Sequence, residues 1–285
     1  MNLEGRVAVI TGAGSGIGRA IALCLARRGC HVALADIDEP GLAQTQTLVR
    51  AVAHARANAN AYANANAAGL QVSAHPLDVA NRQAVAALPA VVLNAQGRMD
   101  LLVNNAGVAL AGNFEQVNEA DFEWLMEINF YGLVRMTRAF LPALRASDDA
   151  CIVNISSLFG LISPPGQSAY SASKFAVRGF SNALRHELAG TRVAVSVVHP
   201  GGVATSIARN ARIAPDVPAE ERSHRLELAE KLLRMPPEKA GEIIVRGVER
   251  RRARILVGRD ALLVSLLERL APVGYWRLLA PRLQA

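Results

Sequence analysis

The sequence predicts an α/β protein: a doubly wound parallel sheet with helices on both faces, in a single domain. Three observations carry that expectation. Short apolar runs of strand character alternate with longer runs of helix character along most of the 285 residues, and such alternation lays parallel strands side by side beneath crossover helices. A glycine-rich turn stands between the first strand and the first helix. The polar residues that look chemical fall at the ends of the predicted strands, where sheets of this kind bind their ligands.

Taken in order, the first predicted strand is Val7 to Thr11, followed by a helix from Ile17 that carries Ile21, Leu23 and Leu25. His31 to Ala35 is the second strand and leads to a helix from Pro40. Val72 to Pro76 leads to a helix over Arg82 to Gln96, and Leu101 to Asn104 leads to helices over Glu119 to Arg145. The strand Cys151 to Ser156, the helix Tyr170 to Leu188 and the strand Val193 to His199 continue the rhythm. After them, Pro237 to Arg252 reads as a helix, Ile255 to Gly258 as a closing strand and Leu262 to Leu270 as an apolar helix. At 51% hydrophobic residues the chain can bury one large core, and its length does not demand a second domain. One domain is expected over 1–258, with 259–285 as an amphipathic extension of it.

Residues 51–68 break the pattern, because alanine stands at nearly every other position with little to pack against a core. Alanine favours helix and asparagine favours turns, so the segment reads as an insertion that lengthens the second helix and frays into a surface loop. The net charge of +7 is local: nine arginines against four acidic residues between Gly241 and Ala285 supply five of it. Its densest part, Arg250, Arg251, Arg252 and Arg254, lacks interleaved aromatics and any nucleic-acid motif, so it reads as a solvated helix end and no nucleic-acid partner is expected. No apolar run reaches the ~20 residues that span a bilayer. Cys24, Cys30 and Cys151 are odd in number and lack metal-ligand spacing, so no metal site is expected. The first strand begins too early to leave room for a secretory leader, and a reduced, cytoplasmic compartment fits these features.

The turn after the first strand reads Thr11-Gly12-Ala13-Gly14-Ser15-Gly16-Ile17-Gly18. Glycines there let backbone N–H groups approach a pyrophosphate, which a positive helix N-terminus then stabilises; alone, the same residues would also make a tight βα turn with no ligand. Asp36 ends the second strand, 18 residues past Gly18. A carboxylate at that place accepts hydrogen bonds from both ribose hydroxyls and repels a 2′-phosphate, unless it only caps the next helix. NAD(H) is therefore favoured. Ser15 and Ile37 flank the same pocket without a cation, while Arg19 on the first helical turn keeps NADP(H) open.

Tyr170 and Lys174 are four apart in a segment of helical character, so they project from one face. A phenol near pKa ~10 is a poor base, but a neighbouring ammonium favours the phenolate and eases proton transfer. Ser157, 13 residues before Tyr170 at a strand end, offers a hydroxyl to a substrate oxygen, with Ser156 as the neighbouring candidate.

Together these motifs resemble the short-chain dehydrogenase/reductase family, whose T-G-x-x-x-G-x-G signature is matched by Thr11, Gly12, Gly16 and Gly18. The resemblance continues in order through Asp78-Val79, Asn104-Asn105-Ala106-Gly107, Asn129, Ser157, Tyr170-x-x-x-Lys174 and Pro200-Gly201. It departs from the family in the long spacing between Asp36 and Asp78, and in Gly202, where a larger residue is usual. It implies a Rossmann-like fold and an NAD(P)-dependent oxidoreductase that interconverts a secondary alcohol and a ketone.

The resemblance also assigns roles. It implies adenine contacts from Asp78 and Val79, and a ribose and strand-end wall of Asn105, Ala106 and Gly107. The cofactor turn also takes in Ser15, Ile17 and Ile37, and Pro200, Gly201, Val203 and Thr205 hold the nicotinamide end. Catalytic roles fall to Asn129, Ser157, Tyr170 and Lys174, with Lys174 also on the nicotinamide ribose and Asn129 anchoring a water that leads protons to solvent. A homodimer or homotetramer, paired through the helices carrying Asn129 and Tyr170, is implied as well.

Leu158, Phe159, Leu161 and Ile162, with a lid over 206–235, are expected to wall an apolar substrate pocket, which favours a hydrophobic ketone or secondary alcohol. Three places are open for the final stretch with Tyr275, Trp276, Leu278 and Leu279: against the pocket, in an oligomer contact, or on a membrane surface. A dinucleotide-sensing protein without chemistry and a peripheral membrane protein are the alternative functions.

Overall fold

In the computed structural model, residues 1–61 and 69–283 are described. The first apolar run forms β1, Val7–Thr11, and its side chains alternate between two cores. Ala8 and Ile10 point to one face of the sheet and Val7 and Val9 to the other, the period of two that a strand buried on both sides demands. The remaining strands of this sheet are β2 (His31–Asp36), β3 (Val72–Pro76), β4 (Leu101–Asn104), β6 (Ala150–Ile155), β7 (Val193–Pro200) and β9 (Arg254–Val257). They lie in the order β3-β2-β1-β4-β6-β7-β9, and every pairing is parallel. The doubly wound fold expected from the alternation is the fold observed.

Helices α1 (Gly16–Arg27), α2 (Glu39–Ala61) and α8 (Pro237–Glu249) cover one face, burying Ile21, Leu25, Leu42, Val49, Ile244 and Val248 against Ile10, Leu34, Val103 and Val153. On the other face lie α3 (Arg82–Gln96), α5 (Leu133–Ala146) and α6 (Ser168–Glu187), with Val85, Val92, Met136, Phe140 and Leu184 on Val9, Leu102 and Ile152. Each fully buried side chain of this size contributes about 1.5–3 kcal/mol, so the two apolar layers supply the main drive to fold. The chain runs outward from β1 to β2 and β3, then returns to place β4 on the other side of β1. That reversal opens a crevice at the carboxyl ends of β1 and β4.

Four details differ from the expected elements. The helix expected through Asn129 is α4 (Glu119–Met126), one π-helical turn over Glu127–Gly132, and then α5. A small second sheet pairs β5 (Leu110–Ala111) with β8 (Arg212–Ile213) ahead of α7 (Ala219–Leu232). The closing strand starts one residue early, and Arg254 does not belong to a solvated end: it sits on β9, half-buried, donating to Ser265 at 3.1 Å. Arg250, Arg251 and Arg252 are exposed at the end of α8 as expected. Of the alanine-asparagine segment, the part up to Ala61 extends α2, and 62–68 lie outside the described residues. The chain closes with α9 (Arg259–Leu270) and α10 (Tyr275–Leu283).

Candidate active site

The glycine turn converts the end of β1 into the start of α1 within four residues. Ser15 is the N-cap in an extended conformation, yet its side chain makes no capping bond, so it leaves the N–H groups of the first helical turn without a side-chain partner. Gly18 is needed for close approach, since a Cβ there would overlap the Gly12 carbonyl and the Asn105 amide. Thr11 and Asn105 lock the turn to β4. The Thr11 hydroxyl accepts from the backbone N–H of Asn105 and Ala106 at 3.0 and 3.1 Å, and the Asn105 amide donates to the Thr11 and Gly12 carbonyls at 3.0 and 2.9 Å.

Asp36 stands at the end of β2 beside this turn. One carboxylate oxygen accepts from Gly14 N–H at 2.6 Å and the other from Asp38 N–H at 3.0 Å, which aims the group along the crevice wall. The guanidinium of Arg19 is committed elsewhere: it donates to the Gly14 carbonyl, to Thr45 Oγ1 at 2.8 Å and to the Gly41 carbonyl at 3.4 Å. Ile37 next to Asp36 is largely exposed, and the Asp78 carboxylate at the end of β3 accepts from Ala80 N–H at 2.8 Å.

One cavity of about 1620 Å³ runs from this turn across the ends of β4, β6 and β7. Of the residues given a cofactor-contact or catalytic role in the sequence, all line it except Gly18 and Asn129, which stand behind the wall, as do Thr11, Arg19 and Asn104. Gly18 packs on the turn. Asn129 is buried in the π-helical turn, where its Oδ1 accepts from Val108 N–H at 2.8 Å and its Nδ2 donates to the Val108 carbonyl at 3.0 Å and to Ser173 Oγ at 3.1 Å. A π-helical turn inserts one extra residue per turn and re-aims side chains, which is why such turns gather at functional sites.

Tyr170 and Lys174 project from the first turns of α6. Lys174 is 3% exposed, donates to the Ile155 carbonyl at 3.3 Å and lies 5.6 Å from the centre of the Tyr170 ring. Burial pushes the Lys174 ammonium down to about 8. Burial also raises the Tyr170 phenol above its ordinary value, with the Ser157 hydroxyl pulling the other way. The phenol lowered by an ammonium, expected from the four-residue spacing, is therefore not what the protein alone presents; desolvation of a buried hydroxyl dominates. Both serines line the cavity, but the Ser156 hydroxyl donates to the Lys174 carbonyl at 2.8 Å and so is tied to α6, whereas Ser157 Oγ accepts from Phe159 N–H at 3.1 Å and keeps its own proton to donate.

Beyond Ser157 and Tyr170 the cavity wall is mainly apolar, with Gln167, Glu221 and His224 as polar members. Leu158, Phe159 and Ile162 line it as expected, while Leu161 turns into the interior. Leu226, Leu232 and Met235 border it from the α7 side, and Trp276 and Leu279 close it from α10. Of the three places open for the final stretch, packing on the pocket is observed: the Tyr275 hydroxyl also accepts from Ser163 N–H at 3.1 Å.

Two site residues escaped sequence reading. His199, fully buried at the end of β7, donates from Nδ1 to the Ser157 carbonyl at 2.9 Å, and burial pushes it down to about 4. Its position before Pro200-Gly201 was a signal, but a histidine in an apolar strand has no distinctive spacing. Asp260, at the start of α9, accepts from Gly202 N–H at 2.7 Å. A Cβ at Gly202 would overlap the Leu232 carbonyl, which explains why the usual larger residue is absent here: the end of α7 and the start of α9 both press on that turn.

Comparison with known proteins places this geometry. The family model for short chain dehydrogenase matches residues 6–216. A Mycobacterium tuberculosis protein named as an oxidoreductase, SadH, is 45% identical over 282 residues, covering 98% of this chain and 95% of its own. The 3-oxoacyl-[acyl-carrier-protein] reductase FabG of Thermotoga maritima is 34% identical over 207 residues, covering 72% of this chain and 77% of its own. Among solved structures, a short chain dehydrogenase/reductase from Burkholderia phymatum in complex with NAD superposes with a TM-score of 0.82 at 32% identity over 95% of each chain. Matches of this extent, on a parallel sheet whose crevice holds the family's motifs, make the chain a member of the short-chain dehydrogenase/reductase family and an NAD(P)-linked oxidoreductase.

Proposed function

We propose that the protein interconverts a hydrophobic secondary alcohol and its ketone with NAD(H), using Tyr170 as the general acid and base. The carrying observation is that Ser157, Tyr170 and Lys174 share one cavity wall with the glycine turn and Asp36. The chain's own residues suit a dinucleotide: uncapped N–H groups at the start of α1 for the pyrophosphate, Asp36 for the ribose, and Asp78 and Val79 for the adenine. Asn105, Ala106 and Gly107 form the middle wall, and Pro200, Gly201, Val203 and Thr205 with Lys174 border the nicotinamide end. When bound, the nicotinamide supplies or accepts hydride at its C4.

In ketone reduction Ser157 Oγ donates a hydrogen bond to the carbonyl oxygen and Tyr170 Oη delivers the proton, an act suited to a phenol that burial keeps protonated. In alcohol oxidation Tyr170 takes the proton instead. Reduction leaves a phenolate on Tyr170, which the Lys174 ammonium stabilises until a proton from solvent restores the phenol, while Asn129 holds the Val108 backbone and, through Ser173, the Tyr170 carbonyl. The lone pair left on Asn129 Oδ1 is the place for the water that the family resemblance implies.

Asp36 without a competing cation supports NAD(H) over NADP(H), because Arg19 is spent on the Gly14 and Gly41 carbonyls and Thr45. The apolar walls, and a relative named for reducing 3-oxoacyl groups, support an extended apolar substrate. Residues 206–235 act as the lid, and the extension of the one domain that begins at Arg259 completes the pocket through Trp276 and Leu279. Three buried, unpaired cysteines support a reduced, cytoplasmic compartment, and Tyr131 and Phe175, exposed beside α5 and on α6, support pairing into a homodimer or homotetramer. An oxidation screen of secondary alcohols of increasing chain length, with NAD and NADP in parallel, tests the reading: turnover should rise with apolar length and with NAD. Turnover confined to small polyols, or to NADP, would overturn the substrate or the cofactor assignment respectively.

A further inference from the structure

Helix α9 is amphipathic the wrong way round for a monomer's surface. Its inner face buries Ala261, Val264 and Ser265, whereas Leu262, Leu263, Leu266 and Leu270 are 55 to 76% exposed. At 3.6 residues per turn those four leucines fall on one stripe about 100° wide. Val273, 92% exposed, and Leu278 extend the apolar surface through the turn into α10. A contiguous exposed patch of this kind marks a contact, because leaving it in water forfeits the burial that the rest of the fold secures.

The patch borders the mouth of the cavity. Leu226, Leu232 and Leu262 are each more than a third exposed and also line the cavity, so they form its rim. The Asp260 bond to Gly202, against which the Leu232 carbonyl packs, holds the end of α7 and the start of α9 at one edge of that rim. Arginines accompany the leucines: Arg259, Arg269 and Arg277 are exposed on the same two helices, against Asp260, which is engaged by Gly202 N–H, and the half-buried Glu268.

We propose that the leucine face of α9, with the turn into α10, docks the protein on an anionic lipid surface, and that the apolar substrate enters the cavity from that surface. Leucines entering the acyl boundary beside arginines that meet anionic headgroups is how a helix lies in an interface. No helix among the described residues is long and apolar enough to cross a membrane, so the contact is along the surface. A second copy of the chain fits less well: it would bring two sets of arginines together and cover the rim through which substrate must pass. The docking stands without the proposed reaction; the entry route rests on it.

The test is flotation of the full-length protein with phosphatidylcholine vesicles and with vesicles containing about a third phosphatidylglycerol at low salt. The wild type should float with the anionic vesicles and far less with the neutral ones. Leu263→Ser/Leu266→Ser/Leu270→Ser should abolish flotation, and Arg269→Gln/Arg277→Gln should weaken it about fivefold for each arginine replaced. Both variants should keep wild-type turnover of a short, water-soluble secondary alcohol. A wild type that stays in the aqueous phase with both vesicles overturns the docking, as does a drop in oligomer mass of the leucine variant by light scattering, which would make the face a contact between copies. Should the leucine variant not fold, undiminished anionic flotation of the arginine variant overturns it equally. Flotation without alcohol turnover would instead overturn the reaction, so the two failures are distinct.

Discussion

Burial acts on Lys174 and Tyr170 in opposite directions, pushing the first down to about 8 and the second up. Each neutral form is favoured where water is excluded. In the proposed reaction Tyr170 carries the transferable proton, so Tyr170→Phe, which removes that proton and little volume, should lower kcat/KM by about 10²–10⁴-fold while cofactor binding, read by fluorescence titration, is retained. Turnover near the wild-type rate would exclude Tyr170 as the acid. His199 adds a pH dependence of its own. It is held at about 4 against an ordinary 6.5, so the unfolded chain takes up the proton first as pH falls through that window. Stability is then lost between pH 6.5 and 4, by about 2 kcal/mol from pH 7 to pH 5. Urea unfolding of the wild type and His199→Gln at the two pH values should show a flatter slope in the variant. Tyr170, Lys174 and Ser157 were legible because their spacing matches a helix face and a strand end. His199 was not, because what it does depends on a carbonyl 42 residues away in the chain.

The elements that build the site divide by whether their signal is local. The β1 turn announced itself, since close approach of backbone leaves glycine no substitute at Gly18. The π-helical turn at Asn129 did not; a run of helix-forming residues has the same pattern whether the turn closes over four residues or five. The β7 turn was half legible: Pro200-Gly201 stood out, but the reason for Gly202 lies in α7 and α9. Asp260→Ala removes the acceptor that holds Gly202 N–H, a solvent-exposed charge-assisted bond worth about 1 kcal/mol. The variant should raise the KM for cofactor by up to about fivefold, with kcat changed less. Steady-state kinetics with the cofactor varied checks this, and an unchanged KM would confine Asp260 to packing.

For the whole molecule, a cavity along the carboxyl ends of the sheet, bordered by helices from both ends of the chain, links ligand binding to global stability. NAD at about a hundred times its Kd should stabilise the fold by about 2.7 kcal/mol, a rise in Tm of roughly 5 °C, and NADP at the same concentration should raise it less. A calorimetric scan showing the larger rise with NADP would reverse the cofactor assignment. The alternation of strand and helix, the glycine turn and the family motifs were determined by sequence alone, because each rests on contacts within a few residues or on backbone geometry that one residue type satisfies. Which faces the helices cover, the coupling of His199 to Ser157 and of Asp260 to Gly202, and the outward leucines of α9 were decided only by tertiary structure. Those properties depend on what lies opposite a side chain once the sheet has closed, and no spacing along the chain encodes that.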